Sequence, residues 1–216
     1  MRKKTIAAAA LLAAASLTLS ACGSGDSSDD PVTVVSEDTS QEAATVLDRP
    51  FEKPDLVLTD THGNSYDLRE QTAGKPTLIY FGYTHCPDVC PLTMSNIAVA
   101  KKELSPAEQE KLQVVFVSTD PERDTPEALG KWLKGIDPEF VGLTGDFSTV
   151  QAGARTLGIS IDPPAKDKNG KVVSQHGTQV IAFSPKTDAG YVIYGEDAQV
   201  DDYAKDLPKL IEGAKP

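Results

Sequence analysis

The 216-residue chain carries 32 acidic against 21 basic residues, a formal charge of −11. A balance of that sign argues against a nucleic-acid partner, whose phosphates are held by Lys and Arg. Acidity otherwise describes a solvated surface and assigns no function.

Arg2, Lys3 and Lys4 precede an uncharged run from Thr5 to Ala21, the pattern of an export signal. The run is too short and too diluted by Ser and Thr for a membrane-spanning helix. It ends in Leu19-Ser20-Ala21-Cys22, a string that resembles the lipobox of bacterial lipoproteins. Cleavage would make Cys22 a lipid-bearing N-terminus and place the protein on the extracytoplasmic face of the cell membrane. Losing residues 1–21 removes three basic residues and no acidic one, taking the formal charge from −11 to −14.

Residues 22–50 are rich in Ser, Thr and Asp, with seven acidic residues against one basic, and are predicted to be a disordered tether. As a flexible coil it would reach on the order of 30 Å. Residues 51–216 are one domain's worth of chain.

Within the domain, Asp55 to Thr59, the turn His62-Gly63-Asn64 and Ser65 to Leu68 predict a hairpin. Thr77 to Tyr83 is continuously apolar and β-rich, as a central strand should be. His85-Cys86-Pro87-Asp88-Val89-Cys90-Pro91 follows, and a helix is expected from Pro91 through Met94, Ile97 and Leu104. Leu112 to Ser118 predicts a second buried strand, with a helix capped by Thr125 after it. A short strand at Phe140–Leu143, a helix over Ser148–Leu157, strands over Gln179–Ser184 and Tyr191–Tyr194 and a helix over Val200–Ile211 complete the pattern. Alternating strands and helices indicate an α/β sheet.

Cys86 and Cys90 stand where a strand gives way to a helix, and a helix N-terminus favours thiolate over thiol. Pro87 and Pro91 disfavour helical geometry at the residues before them, so both cysteines are expected on an exposed turn ahead of the helix. Outside the cytoplasm the pair would form a disulfide unless reduced or held by a metal. A merely stabilising bridge is a poor explanation, because so small a loop removes little unfolded-state entropy. Three histidines are candidates for a third ligand: His62 in a turn, His85 beside Cys86, and His176 before a late strand. From the residues alone a lone histidine such as His176 is more often a satisfied surface or hairpin residue than a ligand. Two thiolates suit Cu(I), and an imidazole makes Cu(II) tolerable; structural zinc wants a fourth donor.

The string Phe81-Gly82-Tyr83-Thr84-His85-Cys86-Pro87-Asp88-Val89-Cys90-Pro91, then Asp120-Pro121-Glu122-Arg123-Asp124-Thr125-Pro126, then His176, resembles the SCO/SenC family in the family's own order. Where members of that family carry Asp before the histidine, Gln175 stands here. The resemblance implies a thioredoxin-like fold with an inserted hairpin within Ile161–Ser174. It also implies copper held by Cys86, Cys90 and His176, and a role at the binuclear copper site of cytochrome c oxidase by delivering copper, by reducing that site's cysteines, or both. Implied partners are the oxidase's copper-site subunit, another copper chaperone and a thiol reductant. The alternative is a membrane-tethered thiol-disulfide oxidoreductase in which Cys86 attacks and Cys90 resolves. A peroxidase lacks its Pro-x-x-x-Thr-x-x-Cys string here, and a copper sensor would differ only in its partner.

Overall fold

The computed structural model describes residues 43–216. The predicted signal segment, Cys22 and the tether through residue 42 lie outside the described residues.

The first element corrects the expected boundary at residue 50. Ala44–Glu52 is a strand, β1, where the composition predicted tether. It pairs antiparallel with Ala189–Tyr194, and its register shifts between Val46 and Phe51. Pro50 sits in that irregular stretch, where a residue that cannot donate to a ladder is tolerated at a sheet edge.

Val57–Asp60 (β2) and Ser65–Asp67 (β3) form the expected hairpin. Its turn is closed by Asp60, whose carboxylate accepts from the backbone N–H groups of His62 and Asn64, with Gly63 at φ +82. A four-residue helix, Leu68–Gln71 (α1), leads to Thr77–Gly82 (β4), in which every residue is buried. Val89–Lys102 (α2) carries the chain towards Gln113–Ser118 (β5), which lies parallel to β4. Between them Pro106–Lys111 (α3) is a helix that apolar periodicity could not announce, since it buries no residue. A Ser105–Glu108 capping box starts it. Pro126–Lys134 (α4) begins at Thr125, whose hydroxyl accepts from Ala128 N. Val141–Thr144 (β6), Phe147–Thr156 (α5), the small hairpin Ala165–Lys166 (β7) and Val172–Val173 (β8), Val180–Phe183 (β9), Ala189–Tyr194 (β10) and Val200–Ile211 (α6) follow.

The eight-stranded sheet runs β1-β10-β9-β4-β5-β6-β2-β3. It is mixed, with β4 parallel to β5 and antiparallel to β9. Side chains alternate across β4 as a strand requires. Leu78 and Tyr80 enter one core with Met94 and Ile97 of α2 and Leu207 of α6; Ile79 and Phe81 enter the other with Val150 and Ala154 of α5. Covering both faces with helices explains why β4 and β5 read as unbroken apolar runs. The result is the expected thioredoxin-like α/β fold with an N-terminal hairpin, β2–β3, and an inserted one, β7–β8.

Candidate metal centre

The centre forms where β4 runs out. Cys86 N donates to Tyr83 O in a turn directly after the strand, and α2 begins at Val89. Cys90 is therefore the helix's second residue, not part of a turn ahead of it. Pro91 is tolerated because the N–H it lacks lies in the first turn, where helical N–H groups have no partner anyway. The expected exposure is corrected too: Cys86 is 7% exposed and Cys90 fully buried, both as free thiols. Cys90 rests on Gly82, where a Cβ would stand 2.9 Å from its sulfur and 2.8 Å from the Tyr80 ring. The Tyr80 hydroxyl donates to Cys90 Sγ at 3.5 Å. Burial pushes the Cys90 thiol up to about 12, against the lowering by Tyr80. Desolvation thus outweighs the thiolate-favouring corner expected from the sequence.

The histidine arm approaches from the other side. Residues 174–179, between β8 and β9, lack regular structure, and they carry the half-buried His176. His176 Nδ1 lies 2.7 Å from Gly177 O, and since a carbonyl only accepts, Nδ1 carries the proton. The other ring nitrogen, Nε2, faces Cys86 Sγ at 3.5 Å, within hydrogen-bond distance of the thiol. One donor atom from each of Cys86, Cys90 and His176 falls within 4.8 Å of the others. The rings of Tyr83 and Tyr80 stand 5.4 and 6.4 Å from the imidazole, walling it on its protein side.

The other histidines are elsewhere. His85 is exposed and turns its Nδ1 to Thr84 Oγ1 at 3.1 Å and Asp124 Oδ1 at 3.6 Å. His62 is 82% exposed in its turn.

The segment Asp120–Asp124, given no chemistry by the sequence reading, braces the centre. Asp124 is fully buried, and its carboxylate accepts from Thr84 N (3.0 Å), Thr84 Oγ1 (2.6 Å) and Ser118 Oγ (2.7 Å). Asp120, 1% exposed, accepts from Arg123 Nε at 2.6 Å and from Ser174 Oγ at 2.7 Å. The only sequence signal for this role was the density of charge directly after a buried strand, where unpaired charges are costly.

Two thiol sulfurs and an imidazole nitrogen suit a soft cation, and among the described residues no fourth ligand closes the set as structural zinc would require.

A family model described as SCO1/SenC matches residues 42–212. A relative in Stutzerimonas stutzeri, named "Putative copper-binding protein", is 29% identical over 174 residues, 80% of this chain and 84% of that protein. The human mitochondrial SCO1 homolog is 35% identical over 126 residues, 58% of this chain; the match spans 42% of that longer protein. Among solved structures, Bradyrhizobium japonicum ScoI with copper bound aligns with a TM-score of 0.63 at 29% identity, covering 75% of this chain and 98% of that one.

Proposed function

Because the chain belongs to the SCO1/SenC family, we propose that it is a copper-binding protein of cytochrome c oxidase assembly whose ion is held by Cys86, Cys90 and His176. The observation that carries this reading is His176 Nε2 turned onto Cys86 Sγ at 3.5 Å, with the Cys90 sulfur beside them. A plain dithiol reductase has no use for it. Copper here is cargo: binding releases the thiol protons, and a partner's thiolates take the ion by displacing the donors one at a time. The recipient is the copper-site subunit of the oxidase, and the lipid predicted on Cys22 holds the domain near it on the extracytoplasmic face.

A second reading rests on the two free thiols standing together. They would reduce a partner disulfide, the pair giving up two electrons and two protons as Cys86 and Cys90 join in a disulfide and the partner's two sulfurs become thiols.

Titration of the reduced full chain with Cu(I) and Cu(II) tests the first reading. It expects one tightly bound copper per chain, weaker in His176→Ala and absent in the Cys86→Ser, Cys90→Ser double variant. Failure of the reduced wild-type chain to bind copper would leave only the reductase.

A further inference from the structure

Residues 174–179 carry His176 without a helix or a strand ladder to hold it, so something else must fix the imidazole over the thiols. The side-chain contacts trace back to Arg123. Its guanidinium donates to the Asp120 carboxylate through Nε and also to Ser174 Oγ at 3.2 Å. Ser174 is 4% exposed, and its hydroxyl in turn donates to Asp120 Oδ2 at 2.7 Å. That hydroxyl accepts one bond and gives one, so the three groups close a ring of hydrogen bonds two residues upstream of the histidine. The same guanidinium lies over the Tyr83 ring, 5.9 Å from its centroid, and the Tyr83 ring is 5.4 Å from the imidazole. Arg123 thus reaches His176 by two routes, through the backbone from Ser174 and through the face of Tyr83.

We propose that Arg123 and Ser174, joined on the Asp120 carboxylate, are positioning residues for His176: they hold the histidine arm closed over the two thiols and thereby set how firmly the ion is retained. The inference rests on the copper reading above. Neither side chain is a ligand; each acts by fixing the direction of Nε2, as outer partners of metal-ligating histidines do. The fork of the guanidinium is what the arrangement requires, because one end must meet a carboxylate while the other meets a hydroxyl. Lysine offers charge without that geometry.

Ser174→Ala is the cleanest probe, since it cuts the arm's attachment and leaves the Arg123–Asp120 pair intact. Arg123→Lys is the second, keeping the buried carboxylate compensated. The full chain is reduced, loaded with Cu(II) and read by its thiolate-to-copper absorption band and by competition affinity, beside wild type and His176→Ala. The expected result is affinity about tenfold weaker in each variant, a band displaced towards that of His176→Ala, and a urea transition of the metal-free chain that stays cooperative. Combining Ser174→Ala with His176→Ala should weaken binding no further than His176→Ala alone, because both remove one interaction. A wild-type band and affinity in both variants would overturn the proposal. So would an undiminished effect of Ser174→Ala in the His176→Ala background. If the wild-type chain itself bound no copper, the copper reading would fall and this inference with it, an outcome distinct from failure in the variants alone.

Discussion

The arm that carries the cysteines leaves a central strand with all six residues buried and enters a fourteen-residue helix packed in the main core, whereas the arm that carries the histidine leaves a hairpin with two residues in each strand. On the first, Asp124 alone takes three hydrogen bonds and Gly82 lies directly under Cys90. On the second, the attachments are the Ser174 hydroxyl and the tilted ring of Tyr83. The difference teaches where a site of this kind puts its rigidity: two donors belong to the folding core, and the third is hung from it by side chains.

Several substitutions would break or sharpen that contrast. The largest effect is expected at Asp124, the anchor of the cysteine arm. Asp124→Ala strands the half-buried Thr84 and the buried Ser118 donors and should cost about 3 kcal/mol of unfolding free energy in urea. A loss below about 1 kcal/mol would mean that the arm is held by packing alone.

Next comes a matched pair of glycines. Gly82→Ala forces a methyl against Cys90 Sγ, the Tyr80 ring and the Phe116 ring, which the core cannot readily yield, and should cost about 2 kcal/mol. Gly177→Ala, on the histidine arm, meets one close atom, Ile159 Cγ2 at 2.9 Å, where Gly82→Ala meets three, and should cost about 1 kcal/mol. Equal losses at the two positions, measured by denaturant unfolding, would erase the proposed difference in rigidity.

Alkaline titration probes the same buried sulfur. Burial raises the Cys90 thiol to about 12 in the folded chain from an ordinary thiol value of 9.0. The folded state therefore holds its proton where the unfolded state has lost it. The associated stability is fully present below pH 9 and is lost as pH rises towards 12, by about 1–2 kcal/mol over the accessible part of that window. Metal-free, reduced Cys90→Ala should lack that slope, as read by urea unfolding at a series of pH values.

The smallest effect belongs to the inserted hairpin. Replacing residues 163–172 by a Gly-Ser linker of the same length should change unfolding free energy by no more than about 0.5 kcal/mol, since loop composition at fixed closure matters little. A larger loss would show that the histidine arm is part of the core after all.

The sequence exposed those parts of this arrangement that local patterns control. Thr77 to Gly82 announces itself because a strand covered on both faces must be apolar at every position, and Thr125 announces α4 because its cap is local. His176 could be placed before a late strand, yet its value as a donor depended on the fold bringing β9 beside β4 across about ninety residues of chain. β1 stayed hidden for the same reason. Its residues are largely exposed, Asp48-Arg49-Pro50 reads as loop, and the partner that makes it a strand is β10, far along the chain. Cys90 was misplaced because two local rules conflict at Pro91: proline discourages helix in the residue before it, and it is welcome in a helix's first turn. Packing of α2 against β4 decided for the second. Asp120, Arg123 and Asp124 looked like a charged loop, and only tertiary contact reveals that Asp124 is satisfied by Thr84 and that the Asp120–Arg123 pair holds Ser174.

Were the chain to hand on an ion, the graded depth of the three side chains would impose a chronology on exchange. An incoming sulfur would meet the half-buried imidazole first, then Cys86 at 7% exposure, and would reach Cys90, wholly enclosed, only at the end. Displacement of an ion held there would pass through intermediates of fixed succession, each with one fewer native donor. The longest-lived of them would be the species still bound by Cys90. Small thiols and large proteins would then differ not in whether they can take the ion but in how far along that succession they can travel before the geometry stops them.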